Sequence, residues 1–251
     1  MSPWTIGTIV FACVFGGAVG GMLIREFLPE HHVSKESQDV VKLGMGLIAT
    51  LAALVLSLLI ASVRTSFDTK ETEIRQFAAD LILLHRNLAV YGPETAEADA
   101  LLRRYTTYKI AAMWPDEAVE SVERTDGWRL LEGVQAKLRA LVPQDDGQRW
   151  LQARALTVSG EISRTRWLMR EQRGSSISTP FLVTLVFWLS ILFVSFGVFA
   201  PRNATVVIAL FVCSLSIAGA VFLILEMDEP FTGLLQISSA PMHDALGHLS
   251  E

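Results

Sequence analysis

Three carboxylates lie close together near the C-terminal end of the chain, directly after a long apolar run. They are Glu226, Asp228 and Glu229. Repeated around a symmetric oligomer, they would form an acidic ring that concentrates or binds cations. The alternative is a solvated helix end, although acidic groups oppose the dipole at a helix C-terminus. The cluster is therefore a candidate ion-attracting or ion-binding site.

The sequence contains no recognisable catalytic motif. A nucleophile elbow, a Gly-rich phosphate loop and an HExxH pair are all missing. His31 and His32 are adjacent and are more typical of a solvated turn than of a metal site, while Cys13 and Cys213 lie inside apolar runs, as buried small hydrophobes do. We therefore predict no enzymatic activity, no cofactor and no metal. A net charge of −5 also argues against nucleic-acid binding.

Four apolar runs are long enough to cross a bilayer, which requires roughly 20 residues of helix. None of them carries a charge in its middle. The runs extend from Trp4 to about Leu28, from about Lys42 to Val63, from Pro180 to Ala200, and from Asn203 to Glu226.

The segment between the second and third runs has a different composition. It is rich in Glu, Arg, Ala and Leu at helical spacing, which predicts four helices. The first ends near residue 91, and the others cover residues 94–114, 128–141 and 148–173. The first of these carries an apolar stripe at helical spacing, formed by Ile74, Ala78, Leu81, Leu84 and Leu88.

These patterns predict an all-α integral membrane protein with four transmembrane helices and a helical soluble domain inserted between the second and third. The expected boundaries are 1–66 for the first two transmembrane helices, 67–178 for the helical domain, 179–229 for the last two transmembrane helices, and 230–251 for a C-terminal tail.

Two of the spans carry stripes of small residues. Gly16, Gly17, Gly20 and Gly21 make two overlapping small-xxx-small pairs in the first span, suited either to a contact between subunits or to packing within one chain. In the second span a stripe at steps of four could line a pore, or could form a packing seam, which is the commoner use. Its residues are Ala49, Ala53, Ser57 and Ala61, with Ile48, Ala52 and Leu56 beside it.

Basic residues near the span ends predict the orientation of the protein in its membrane. Four spans place both termini and the middle domain on one side. Seven basic residues lie close to the membrane on that side: Arg64, Lys70, Arg75, Arg164, Arg166, Arg170 and Arg173. Four lie on the other side: Arg25, Lys35, Lys42 and Arg202. We therefore expect a multi-pass protein of the cell inner membrane with its termini and middle domain in the cytoplasm.

The sequence resembles the bestrophin-like family of prokaryotic membrane proteins, which is distantly similar to bestrophin ion channels. The matching stretches are Gly46 to Arg86, Phe187 to Asn203, and Glu226 to Gly233. In the last of these, Thr232 interrupts the Pro-Phe-Gly that ends the last span of bestrophins. The acidic cluster that forms a calcium clasp in animal bestrophins is missing, so a calcium switch is not implied.

The resemblance implies a homopentamer whose pore is lined by the second span. Arg64 with Phe67 and Asp68 loosely matches the end of that span in bestrophins, and this register puts Ile48, Ala52 and Leu56 at the neck, without the aromatic neck residues of the family. The expected function is a homo-oligomeric ion channel whose partners are its own copies, the lipid bilayer and inorganic ions. The alternative is a non-conducting membrane scaffold or sensor with a helical cytoplasmic domain.

Overall fold

In the computed structural model, the described residues are 2–29, 35–115, 127–171, 177–201 and 203–250. Over these ranges the chain is helical, without a strand, and a short 3-10 turn at Pro93–Thr95 is the other regular element. The helices are α1 (Pro3–Phe27), α2 (Lys35–Tyr91), α3 (Ala96–Met113), α4 (Gly127–Ala140), α5 (Asp146–Glu171), α6 (Thr179–Phe199), α7 (Ala204–Asp228) and α8 (Ala240–His248).

Four of these helices, α1, α2, α6 and α7, are long and apolar enough to cross a membrane, in agreement with the four predicted spans. The ends of two follow from local chemistry. The Ser2 hydroxyl accepts a hydrogen bond from the Thr5 N–H at the start of α1, and the Asn203 side chain accepts one from the Val206 N–H at the start of α7, at 2.8 Å. α2 is much longer than a span requires, because it continues past Val63 into the predicted amphipathic helix.

The chain divides into two compact units. The membrane unit comprises Met1–Phe67 and Ser175–Glu229, and the helical unit comprises Asp68–Gly174 and Pro230–Glu251. α2 contributes its first part to the membrane unit and its last part to the helical unit. The C-terminal segment, expected as a separate tail, belongs to the helical unit, where the indole N–H of Trp114 donates to the Ile237 carbonyl at 2.9 Å.

In the helical unit, the predicted apolar stripe of α2 is confirmed as a buried face. Ile74, Ala78, Leu81, Leu84 and Leu88 are all buried. The ring of Phe77, on the same face of α2, lies 6.3 Å from the ring of Tyr105 on α3. The core of this unit therefore forms where α2 meets the helices that follow it.

The contacts inside the membrane unit fix the directions of its helices. α1 and α6 run parallel: Gly17 approaches the carbonyl of Ser190, and Gly21 approaches that of Val194, one turn further along both helices. α1 and α7 run antiparallel, because Trp4 at the start of α1 packs on Phe222 near the end of α7, with ring centroids 4.5 Å apart, whereas Phe15, further along α1, packs on Phe211, nearer the start of α7, at 5.4 Å.

The end of the membrane-unit part of α2 packs against two other helices of that unit. Val63 shares an apolar cluster with Ile177, just before α6, and with Ile224, near the end of α7. The start of α1, the end of the second span, the start of α6 and the end of α7 therefore lie at one end of the membrane unit. This matches four successive crossings of a bilayer.

Candidate pore-lining face

The apolar part of α2 is the least covered of the four spans within the protomer. Its most apolar 18-residue window is 11% buried, whereas the windows of the other three helices are 28–33% buried. In a helix that must sit in a membrane, the remaining surface faces lipid, another subunit or water in a pore. The composition of that surface is therefore informative.

One face of α2 packs against the other helices of its own chain. Ala52 is 3% exposed and lies in a cluster with Leu59, Leu185 and Ile224. Ile48 and Leu56 are partly buried and pack against the apolar clusters of the membrane unit. Three of the five residues predicted to line a pore, Ile48, Ala52 and Leu56, thus lie on the face that is packed within the protomer.

A second face of α2 is a stripe of exposed leucines, called here the leucine face. At steps of four or three residues, leucine side chains with 42–79% exposure follow one another along the helix. They are Leu43, Leu47, Leu51, Leu54 and Leu58. Large aliphatic side chains in this position are typical of a surface that contacts lipid tails.

Between Gly46 and Ser57, the third face of α2 is exposed and carries only small or hydroxyl side chains. It is called here the small-residue face, and it consists of Gly46, Ala49, Thr50, Ala53 and Ser57. It contains the two remaining predicted residues, Ala49 and Ala53, which lie one turn apart. The stripe continues to Ala61, which is also exposed.

The hydroxyls on the small-residue face are held by the backbone of α2. Thr50 Oγ1 donates to the Gly46 carbonyl at 2.9 Å, and Ser57 Oγ donates to the Ala53 carbonyl at 2.8 Å. Each hydroxyl oxygen keeps acceptor capacity that is directed away from the helix. This face therefore offers weak polar contacts and occupies little space, unlike the leucine face beside it.

Sequence reasoning overlooked Gly46 and Thr50. A Cβ added at Gly46 would meet no heavy atom of the described residues within 4 Å, so the face is open there. Steps of three and four residues from Ala53 reach Thr50 and Ala49, and four more from Thr50 reach Gly46. Helical spacing combined with side-chain size was the signal that could have found them.

The three C-terminal carboxylates do not form one exposed cluster. Glu226 is 3% exposed within the membrane unit, Asp228 is half-buried, and Glu229 is exposed. The Glu229 N–H donates to the Glu226 carbonyl at 3.2 Å, which tightens the end of α7. Within a protomer, Glu229 is the carboxylate of this group most accessible to an ion.

The glycines of α1 divide into two pairs. A Cβ on Gly17 would press on the carbonyl of Ser190, and one on Gly21 would collide with the carbonyl of Val194. A Cβ on Gly16 or Gly20 would meet nothing within 4 Å in the described part of the chain. Gly17 and Gly21 thus serve packing inside the protomer, and Gly16 and Gly20 face outward.

Histidines and carboxylates do not gather into a metal site among the residues that the structure describes, where no group of three or more His, Cys, Asp or Glu side chains is placed to hold an ion. His31 and His32 lie outside those residues.

The helices and their contacts define a class of protein: a four-span helical membrane protein whose second span has one packed face, one leucine face and one small-residue face.

The family follows from comparison with known proteins. A family model described as Bestrophin-like domain matches residues 12–242, nearly the whole chain. The chain belongs to that family. A comparison of this chain with the curated proteins found no match.

Proposed function

We propose that the chain forms a homo-oligomeric ion channel, a pentamer, in which the small-residue face of α2 lines the pore. The observation that carries the proposal is the division of the exposed surface of α2 into a leucine face and a small-residue face. Lipid alone would not require this division, because one leucine surface would serve all round. Membership of a family named for bestrophins supports the same function.

The division also supports one rotation of α2 about its own axis in the proposed oligomer. With the packed face towards its own chain and the leucine face towards lipid, the small-residue face is directed to the symmetry axis of the oligomer. Small side chains there leave a wide lumen, and the hydroxyls of Thr50 and Ser57 help to keep it wet. On this arrangement Ala49 and Ala53 line the pore, whereas Ala52 supports it from behind.

Two further parts of the proposal rest on the distribution of charge. Glu229, exposed at the end of α7, would attract cations when repeated around the oligomer. The excess of basic residues next to residues 67–178 favours an inner-membrane protein with that segment and both termini in the cytoplasm. The segment would then form a soluble helical domain inserted between the second and third spans.

The test compares two phenylalanine substitutions at adjacent positions. The mass of the purified assembly is measured in detergent, and ion flux is measured in liposomes made from the same samples. We expect Ala53→Phe to keep the pentamer and to suppress flux, because five phenyl rings would fill the lumen. Leu54→Phe, at a side chain that is 56% exposed on the leucine face, should keep both the pentamer and the flux.

A wild-type oligomer whose flux equals that of empty liposomes would contradict the channel and favour a scaffold or sensor. Suppression by Leu54→Phe, with full flux in Ala53→Phe, would show that the wrong face of α2 has been assigned to the pore.

A further inference from the structure

A groove of about 530 Å³ lies between α4 and α5 in the helical unit. Its volume is in the range of sites that take small organic molecules. α4 lines it with Trp128, Glu132 and Gln135, and α5 faces them across the groove. The groove lies wholly within the helical unit, and the proposed channel makes no use of it.

The α5 side of the groove combines an aromatic ring with two guanidinium groups. The Arg166 and Arg170 side chains lie 5.4 and 5.7 Å from the centroid of the Trp167 ring, within the range of cation–π contacts. Trp167 is nevertheless 59% exposed, and Trp128 on the opposite helix is 43% exposed. The Arg129 side chain also lies over the Trp128 ring, 5.3 Å from its centroid. Two partly exposed indoles thus stand on either side of a groove that has a cationic edge.

The polar side chains in the groove are positioned by hydrogen bonds. Gln135 Nε2 donates to Ser163 Oγ at 3.0 Å and to the Ser159 carbonyl at 3.2 Å. These bonds tie α4 to α5 and fix the orientation of the Gln135 amide. The groove is therefore held in shape by the packing of its own helices.

The charges of the groove favour an anion. Arg166 and Arg170 outnumber the one lining carboxylate, Glu132, and no ion pair joins either arginine to a carboxylate of the described residues. Guanidinium groups recognise carboxylates and phosphates through charge-assisted hydrogen bonds. The indoles add a surface on which a flat ring can stack.

We propose that this groove binds a small organic anion that carries an aromatic ring. The ring stacks against Trp167 and Trp128, and the anionic group is held by Arg166 and Arg170. Glu132 accepts a hydrogen bond from a donor on the ring. Nucleotides and aromatic carboxylates share this chemistry, and matched probes distinguish the two sources.

Binding is measured by calorimetry on the full chain in detergent, so that the result does not depend on ion flux. The probes are two pairs that differ in charge: indole-3-acetate with indole-3-acetamide, and adenosine 5′-monophosphate with adenosine. We expect the anion of at least one pair to bind roughly tenfold or more tightly than its neutral partner, as charge-assisted hydrogen bonds imply. The pair that shows this difference identifies a carboxylate or a phosphate as the preferred group.

The double variant Arg166→Gln with Arg170→Gln should lose that preference for the anion. Arg164→Gln is the matched control, because Arg164 lies on the same helix, is exposed and does not line the groove. Circular dichroism melting of all variants shows whether α5 remains folded.

Equal binding of anions and neutral partners would overturn the proposal, as would unchanged binding in the double variant. A change in the mass of the oligomer in Trp167→Ala, with no probe bound by the wild type, would also overturn it, because the groove would then be a contact between copies of the chain.

Discussion

Ala52 and Ala53 are neighbours in the sequence, but they lie on different faces of α2. Ala52 is 3% exposed and packs in the cluster that contains Leu185 and Ile224, whereas Ala53 is exposed on the small-residue face. Both side chains are a single methyl group, so a substitution at each position compares two environments with identical chemistry.

We expect Ala52→Phe to lower thermal stability, because a phenyl ring would have to enter a packed cluster. Overpacking of this kind costs about 1–3 kcal/mol. Ala53→Phe should melt like the wild type. The measurement is circular dichroism melting in detergent, together with the mass of the assembly. Equal melting of the two variants would mean that the packed face of α2 has been assigned wrongly.

The four spans and most of the helices could be predicted from the sequence. A helix in lipid must be apolar over roughly 20 residues, and that requirement leaves a strong signal in composition. The amphipathic stripe from Ile74 to Leu88 was equally clear, since water on one side of a helix selects polar residues there. Both predictions depended on a contrast between water and a non-aqueous environment.

The faces within a span could not be predicted in the same way. Lipid and a packed helix interface are both apolar, so Ala52 and Leu54 look equally suited to either. Stepping back from Arg64 by turns selected Ile48, Ala52 and Leu56, a row that turns out to pack inside the protomer. The contacts of α6 and α7 decide which row is covered, and one sequence does not reveal them.

The glycines of α1 give a second comparison of adjacent positions. Gly21→Ala should destabilise the membrane unit by about 1–3 kcal/mol, because its Cβ would collide with the Val194 carbonyl on α6. Gly20→Ala should be neutral or slightly stabilising, since its Cβ would meet open space and alanine favours a helix. Thermal melting of the two variants in detergent measures the difference, and similar losses in both would contradict the α1–α6 contact.

We expect the stability of the helical unit to depend on pH because of the buried Asp80. Burial raises the pKa of the Asp80 carboxyl above the ordinary value of 3.8, and the nearby negative charge of Glu161 raises it further. A hydrogen bond from the Gln76 amide, at 2.9 Å, and the positive charge of Arg154 lower this pKa, but they do not cancel the effect of burial. Above pH 3.8 the folded state therefore binds more protons than the unfolded state, and stability falls as the pH rises through the raised pKa.

Asp80→Asn removes the ionisation and should remove this loss. The melting temperature of the variant relative to the wild type should rise as the pH increases from 3.8 through the raised pKa, and the difference should level off above it. Asp244→Asn, at an exposed aspartate of the same unit, serves as the control for the loss of one negative charge. A difference for Asp80→Asn that is independent of pH would show that its carboxyl titrates normally in the folded protein.

The orientation is tested by thiol labelling of intact cells, after Cys13 and Cys213 have been replaced. Ala153→Cys, at an exposed position of α5, should resist a membrane-impermeant reagent, because we propose that the helical unit lies in the cytoplasm. Lys35→Cys, at the start of α2, should react. Labelling of Ala153→Cys without labelling of Lys35→Cys would show that the protein has the opposite orientation in the membrane, with the same fold.

The most direct test of the channel is modification of a cysteine in the proposed lumen while flux is being recorded. In a background without Cys13 and Cys213, Ser57→Cys places a thiol on the small-residue face, and Leu58→Cys places one on the leucine face, where Leu58 is 61% exposed. A charged, water-soluble thiol reagent should block ion flux through Ser57→Cys and leave flux through Leu58→Cys unchanged. Unblocked flux through a labelled Ser57→Cys protein would contradict a pore lined by α2.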